Sequence, residues 1–222
     1  MGATIFGAII GAIIAGLITI WIEGLRKPKL ELELLAPFDL NLLPNQPASK
    51  MRSLRVKLTN KSLPRWIKWM YRNPALQCHG TISFYHLNDR QDVFGRKMIL
   101  RWSGAPEPNP LKVQIGNQQG LVYDPVRITL LQKMDIYPNE SADIDIAVRM
   151  DKDVECYGWS NENYFSNPPW RPKNWQLKSE RYLVKVTVLS SGETKSKIFR
   201  LINDVDLQDF RLTDALPEDN LN

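Results

Sequence analysis

The sequence predicts a mainly β protein: an antiparallel sandwich of eight or nine short strands, preceded by one N-terminal transmembrane α-helix. Three observations point there. Residues 1–22 carry no charged side chain. From Lys29 onward, apolar and polar residues alternate with period two, the signature of half-buried strands. Clusters of turn-forming residues separate the alternating runs, and no long amphipathic helix competes with them.

Ala3 to Ile22 is built only from Ile, Ala, Gly, Leu, Phe, Thr and Trp. As a helix its twenty residues span about 30 Å, the thickness of a bilayer's hydrocarbon core. A cleaved signal peptide would carry a basic n-region and a shorter apolar core, whereas no Lys or Arg precedes Arg26. Trp21 suits the membrane interface, and Pro28 stops the helix soon after. Gly7, Gly11 and Ala15 form one small-residue stripe, and Ala8, Ala12 and Gly16 form another beside it. Such faces let helices pack closely in lipid, so association with a partner or a second copy is an expectation; plain membrane-helix composition is the alternative. Arg26, Lys27 and Lys29 follow the span, and the positive-inside rule then puts the N-terminus outside and the β domain in the cytoplasm. The exported orientation is the rival.

The strands read in order. Leu30, Leu32 and Leu34 alternate with charged neighbours, as do Leu54, Val56 and Leu58. Cys78, Gly80, Ile82 and Phe84 share one face of the next run. Further strands are expected at 98–102, 111–115, 126–130, 142–148, 182–189 and 197–202. In the run 142–148, Ile144, Ile146 and Val148 are expected inward, with Asp143 and Asp145 on a solvated face. Turns fall at 60–62, 88–89, 138–140 and 190–192, where Asn, Asp, Ser, Pro and Gly gather. The chain thus divides into an anchor with a juxtamembrane basic segment (1–28), the sandwich (29–203) with long loops at 62–77 and 154–178, and an acidic C-terminal tail (204–222). That tail holds six acids against Arg211, so the remainder of a chain of net charge +5 is strongly basic.

Three runs resemble strands of bacterial and archaeal immunoglobulin-like modules, of the cell-adhesion-related and glycosidase-associated kind. They are Leu54 to Asn60, Ile136 to Ile144 (with Asn139 where Gly is usual) and Arg181 to Val188. The resemblance covers about a third of the chain, implies an immunoglobulin-like sandwich, and carries no active site. The two long loops have no counterpart in a minimal module, so a partner surface is expected there.

Two stretches stand out as sites. Arg65, Trp66, Lys68, Trp69 and Arg72 mix bases with aromatics as membrane interfaces do. Read as a short helix, Trp66, Ile67, Trp69 and Met70 make one apolar side; tryptophans capping the core are the alternative. Tyr157, Trp159, Tyr164, Trp170 and Trp175 lie in the second long loop. Displayed outward they could grip a sugar or a proline-rich peptide, the sugar above all if the domain is exported; folded back they make a satellite core. The paired acids Asp143/Asp145 and Asp151/Asp153 lack the bidentate Glu of a calcium loop. His79 and His86 fall on opposite faces of one strand, and no nucleophile motif, phosphate loop or dinucleotide fingerprint occurs. Cys78 and Cys156 form no zinc spacing, and their pairing stays open. The expectation is a non-enzymatic, single-pass membrane module without cofactor, metal or nucleic acid. Its expected roles are protein binding and scaffolding; carbohydrate binding from outside the cell and service as an accessory subunit of a membrane complex are the rivals.

Overall fold

The computed structural model describes the chain except residues 1, 42–49, 65, 68, 106–110, 117, 123–132, 167–169 and 222. Helix α1 runs Gly2–Arg26 and stops two residues before Pro28, whose ring would clash with a continuing turn. The strands that follow are β1 (Leu30–Leu34), β2 (Phe38–Asn41), β3 (Lys50–Asn60), β4 (Ala75–His86), β5 (Met98–Ile99), β6 (Arg101–Trp102), β7 (Leu111–Ile115) and β8 (Gln118–Val122). Then come β9 (Met134–Ile136), β10 (Ser141–Met150), β11 (Cys156–Gly158), β12 (Gln176–Leu177), β13 (Arg181–Leu189), β14 (Thr194–Ile202) and β15 (Arg211–Asp214). The protein is mainly β, with two antiparallel sheets and one N-terminal apolar helix.

The first sheet has the order β1-β3-β10-β11-β12, with β2 added on β3 and β6 on β10. The second runs β15-β14-β13-β4-β5, with β9 added on β4. Their facing residues merge in one core: Leu32, Val56 and Ile144 from the first sheet meet Ile82, Val184 and Phe199 from the second, all essentially inaccessible. Gly80 is obligatory where β4 crosses β13, because a Cβ there would lie 2.1 Å from the Thr187 carbonyl oxygen.

Several expectations change. The run 98–102 is one alternating segment in sequence, yet it serves both sheets. Met98 pairs into the second, Trp102 into the first, and buried Leu100 spans the gap with its N–H on the Gly80 carbonyl (3.0 Å). Among the described residues the run 111–115 pairs only with β8, a separate hairpin turning at Gly116 (φ 62°). The strand expected at 126–130 lies outside the described residues. Strand β2 has no counterpart among the expected strands, and β11 and β12 arise inside the loop 154–178.

In β10 the pairing with β3 slips between Asp145 and Ala147. A bulge inserts one residue, and every later side chain changes face. Ile144 and Ile146 therefore enter the main core. Val148, expected beside them, instead joins Met51, Met150, Tyr157 and Trp159 in a second cluster. The face expected to be solvated is covered at Asp145, where β6 pairs on β10: Asp145 is buried and ion-paired with equally buried Arg101. Burial pushes the Asp145 carboxyl upward, and the facing guanidinium opposes it.

The segment after Asn203 returns to the second sheet, which it joins at Arg211–Asp214. Two arginines, Arg149 buried and Arg52 partly so, draw it in. Arg149 donates to the Asn203 and Val205 carbonyls (3.4 and 2.7 Å), and Arg52, held bidentately by Asp39, donates to that of Gln208. Phe210 then enters the core completely, and β15 pairs with β14. Beyond β15 the chain is tied to Arg200 and Arg90. Asp219, almost wholly buried, accepts from Arg200 Nε and Nη2 and from Arg90 Nη2 (3.3 Å), and its Oδ2 also accepts from the Leu216 N–H (2.8 Å). The Arg200 hydrogen bonds hold its carboxyl below the usual carboxylate range.

Two outcomes follow for stability. Phe210→Ala should cost about 3–5 kcal/mol in chemical denaturation, which a dangling tail would not. Asp219→Asn should be less stable than the parent near neutral pH. Because the folded pKa of Asp219 is depressed, its stabilisation is complete above the unfolded value and is lost as pH falls through the folded one. The stability gap between the two proteins should therefore narrow below about pH 4.

Candidate membrane-proximal site

Helix α1 has no buried side chain among its described residues. Its window Ile9–Arg26 is long and apolar enough to cross a membrane, and none of it is buried within the chain. Ile9, Ile13, Leu17 and Ile20 point outward, as does Trp21. The Thr19 hydroxyl donates to the Ala15 carbonyl (2.9 Å), so this polar side chain does not ask for water. Gly7, Ala8, Gly11, Ala12, Ala15 and Gly16 all lie in α1. A Cβ added at Gly11 or Gly16 would meet nothing, so their smallness serves no contact inside the chain.

The helix is joined to the β body by a short, fully engaged connection. Lys27 N–H closes the last turn on the Glu23 carbonyl (3.2 Å). Pro28 is buried and packs beside Gly192 of the β13–β14 turn. The Arg26 carbonyl accepts from Asn73 N–H (2.6 Å), and the Lys27 carbonyl accepts from Arg72 Nη1 (2.6 Å). These two groups sit at a helix C-terminus, where carbonyls lack intrahelical donors. The loop after β3 supplies them.

Asn60 organises the junction. Its side chain is wholly buried at the end of β3. Oδ1 accepts from Lys29 N–H (3.1 Å), while Nδ2 donates to the Asn73 and Ile136 carbonyls (both 3.1 Å). Its backbone exchanges hydrogen bonds with Asn139 N–H (2.7 Å) and the Glu140 carbonyl (3.1 Å). One side chain therefore ties the helix exit, the loop 61–74 and the start of the β9–β10 turn. Asn139 has φ 72° there, a conformation that Gly and Asn adopt with least strain.

The loop held in this way turns its rings outward. Trp66, Trp69 and Tyr71 are 76%, 69% and 81% exposed, while Ile67 and Met70 are buried. Trp66 and Trp69 lie in turns, and the described residues of this stretch form no helix; Ile67 and Met70 are buried while Trp66 and Trp69 are exposed, so the tryptophans do not share a face with them, nor do they cap the core. Arg65 and Lys68 lie outside the described residues. Charge at this end is unevenly neutralised. Arg26 pairs with Glu23 (3.3 Å), and Lys61 pairs with Glu31 and Glu33 (3.0 and 2.9 Å). Among the described residues Lys27 and Lys29, both exposed, have no ion-pair partner.

The second predicted stretch is placed differently. Tyr157, Trp159 and Trp175 are 6% exposed or less, so they are not displayed to a ligand. Trp175 Nε1 donates to Glu162 (2.7 Å), with Phe94 edge-on at 4.9 Å and Arg96 over its ring at 4.4 Å. Trp170, half-buried at φ 62°, packs on the cluster of Met51, Val148, Met150, Tyr157 and Trp159. Tyr164 lies in the 3₁₀ turn Asn161–Phe165, which Ser160 and Asn163 cap reciprocally. Tyr157, Trp159, Trp170 and Trp175 thus fold back on the body, the satellite-core alternative.

The remaining chemistry is dispersed. Cys78 and Cys156 are free and buried. Burial pushes the Cys78 thiol up to about 11 and Cys156 upward as well, which leaves both protonated and unreactive near neutral pH. His79 sits beside the Gln77 carbonyl, and His86 lies near Glu180 (3.5 Å) and against Tyr182. Among the described residues no three His, Cys, Asp or Glu side chains gather as metal ligands would. Comparison with models of known families, with curated proteins and with solved structures finds no match.

The sequence signal that marks this site is the Trp/Tyr-basic run; the residue it does not mark is Asn60, whose role depends on partners distant in sequence. Trp66→Ser with Trp69→Ser should change thermal stability in detergent by no more than about 0.5 kcal/mol, as exposed positions do. Asn60→Ala leaves three backbone groups without partners and should cost about 3 kcal/mol or more in the same measurement.

Proposed function

We propose that this chain is a single-pass membrane module whose immunoglobulin-like β-sandwich works as a binding and scaffolding platform at the cytoplasmic face, without chemistry of its own. The observation that carries the reading is the junction. Only Lys27, Pro28 and Lys29 separate α1 from β1, and the flanking carbonyls and N–H groups are bonded to the body. A flexible tether would let the body tumble. This junction holds it at a set attitude to the helix, so the same loops and sheet faces always point away from the membrane. That suits a protein that positions a partner. The basic triplet Arg26, Lys27 and Lys29 supports the cytoplasmic side.

The accessory-subunit reading has one supporting observation, the unoccupied small-residue face at Gly11 and Gly16. Carbohydrate binding by an exported domain draws less support, because Tyr157, Trp159 and Trp175 are inside. The test is topological. Green fluorescent protein fused after Asn222 should fluoresce in a bacterial host, and alkaline phosphatase fused at the same place should be inactive. An active phosphatase fusion would overturn the cytoplasmic assignment.

A further inference from the structure

We infer that the membrane-proximal end of the β body is a docking surface for an anionic phospholipid leaflet, with Trp66, Trp69 and Tyr71 entering the headgroup layer beside Lys27 and Lys29. The inference rests on the reading that α1 spans the bilayer, and it adds the surface chemistry the body recognises there.

Continuity is the first argument. Trp69 is three residues from Arg72, which is bonded to the Lys27 carbonyl, so its Cα lies within about 11 Å of the Arg72 Cα. The rings therefore lie close to the point where α1 leaves the apolar layer. Trp21, exposed one and a half turns before the helix end, stands about 7.5 Å further along the axis. Aromatic rings with a polar edge partition to this depth, where the ring body meets acyl carbons and the N–H or O–H meets water and phosphate.

The second argument is how the rings are presented. Ile67 and Met70 point into the body while Trp66, Trp69 and Tyr71 point out of it. Alternating anchors of this kind root the loop, so exposing three large rings is a property of the fold. None of the three has an aromatic or cation–π partner among the described residues.

Charge completes the match. The neighbouring cations Arg26 and Lys61 are spent on Glu23, Glu31 and Glu33. Lys27 and Lys29 are left exposed, one on each side of buried Pro28, at the level where headgroup phosphates lie. Two such ammonium groups favour a leaflet of negative surface potential over a zwitterionic one.

The full chain in lipid nanodiscs tests this. Discs are accessible from both sides, so altering Lys27 and Lys29 does not confound the result through topology. Lipids brominated close to the headgroup quench tryptophan, and the contribution of Trp66 and Trp69 is the difference between the parent and a Trp66→Phe/Trp69→Phe variant. That contribution should be about twofold larger in discs containing phosphatidylglycerol than in phosphatidylcholine alone, the sense expected for an electrostatic bias at the surface. The difference should vanish in Lys27→Gln/Lys29→Gln, and also in 1 M salt, where the Debye length falls to about 3 Å. Equal quenching in both lipids overturns the headgroup selectivity. No quenching of Trp66 and Trp69 in either lipid overturns the docking surface and leaves this end to a protein neighbour. Failure of the anchor itself looks different: the chain would not co-elute with discs at all, whereas a co-eluting chain with Trp21 quenched and Trp66 and Trp69 unquenched sinks only the docking surface.

Discussion

The buried side chain of Asn60 is the constraint on which the rest of the molecule leans. Three backbone segments far apart in sequence reach the end of β3 with hydrogen-bonding groups that water cannot serve. An amide is the one side chain that offers an acceptor and two donors in a single plane. Its Oδ1 receives the chain leaving the helix, and its Nδ2 holds Asn73 and Ile136. The helix exit, the aromatic loop and the entry to β10 are thereby referred to one point. Asp at this position would turn an acceptor toward two carbonyls, and Leu would leave all three segments unpaired.

From that point outward the body is shaped by how it accommodates charge in its interior. The bulge in β10 divides the first sheet into two registers, one feeding the main core and one feeding the aromatic cluster around Trp159. Where the register changes, Asp145 and Arg101 face each other away from water. A pair like this adds little net stability over apolar packing, but removing either member strands the other. It therefore pins the bulge more than it strengthens the fold. Arg149, Arg52, Arg200 and Arg90 do comparable work on the acidic C-terminal segment, converting a run of like charges into an edge strand and a buried carboxylate. The basic surplus of the body and the acidic surplus of the tail are two halves of one interaction.

The proposed function rests on the end opposite these clasps, where the body meets its helix. The same loop that satisfies the last helical carbonyls exposes Trp66, Trp69 and Tyr71. Attachment of the helix and display of the aromatics are therefore one structural feature rather than two. On the proposed reading, with the helix in a bilayer, this attachment would direct the distal loops away from it, the disposition a scaffold requires.

The sequence by itself determined what depends on local period and composition. The apolar helix follows from missing charge, the β class from alternation, the turns at 138–140 and 190–192 from their residues, and the basic-aromatic run from the density of Trp and Lys/Arg around 65–72. Cys78, Ile82 and Phe84 share a buried face just as their spacing requires. Only the tertiary structure decided the rest, because each case turns on a partner remote in the chain. The bulge that moves Val148 to another core is set by pairing with β3. The crossover at Leu100 is set by the gap between sheets. The burial of Phe210 and Asp219 in a segment that reads only as an acidic tail is set by arginines elsewhere in the chain. The outward Trp66 and Trp69, and the inward Trp159 and Trp175, look alike in sequence; what separates them is that the first pair is held off the core by the Asn60 junction, while the second has a sheet face to fold back upon.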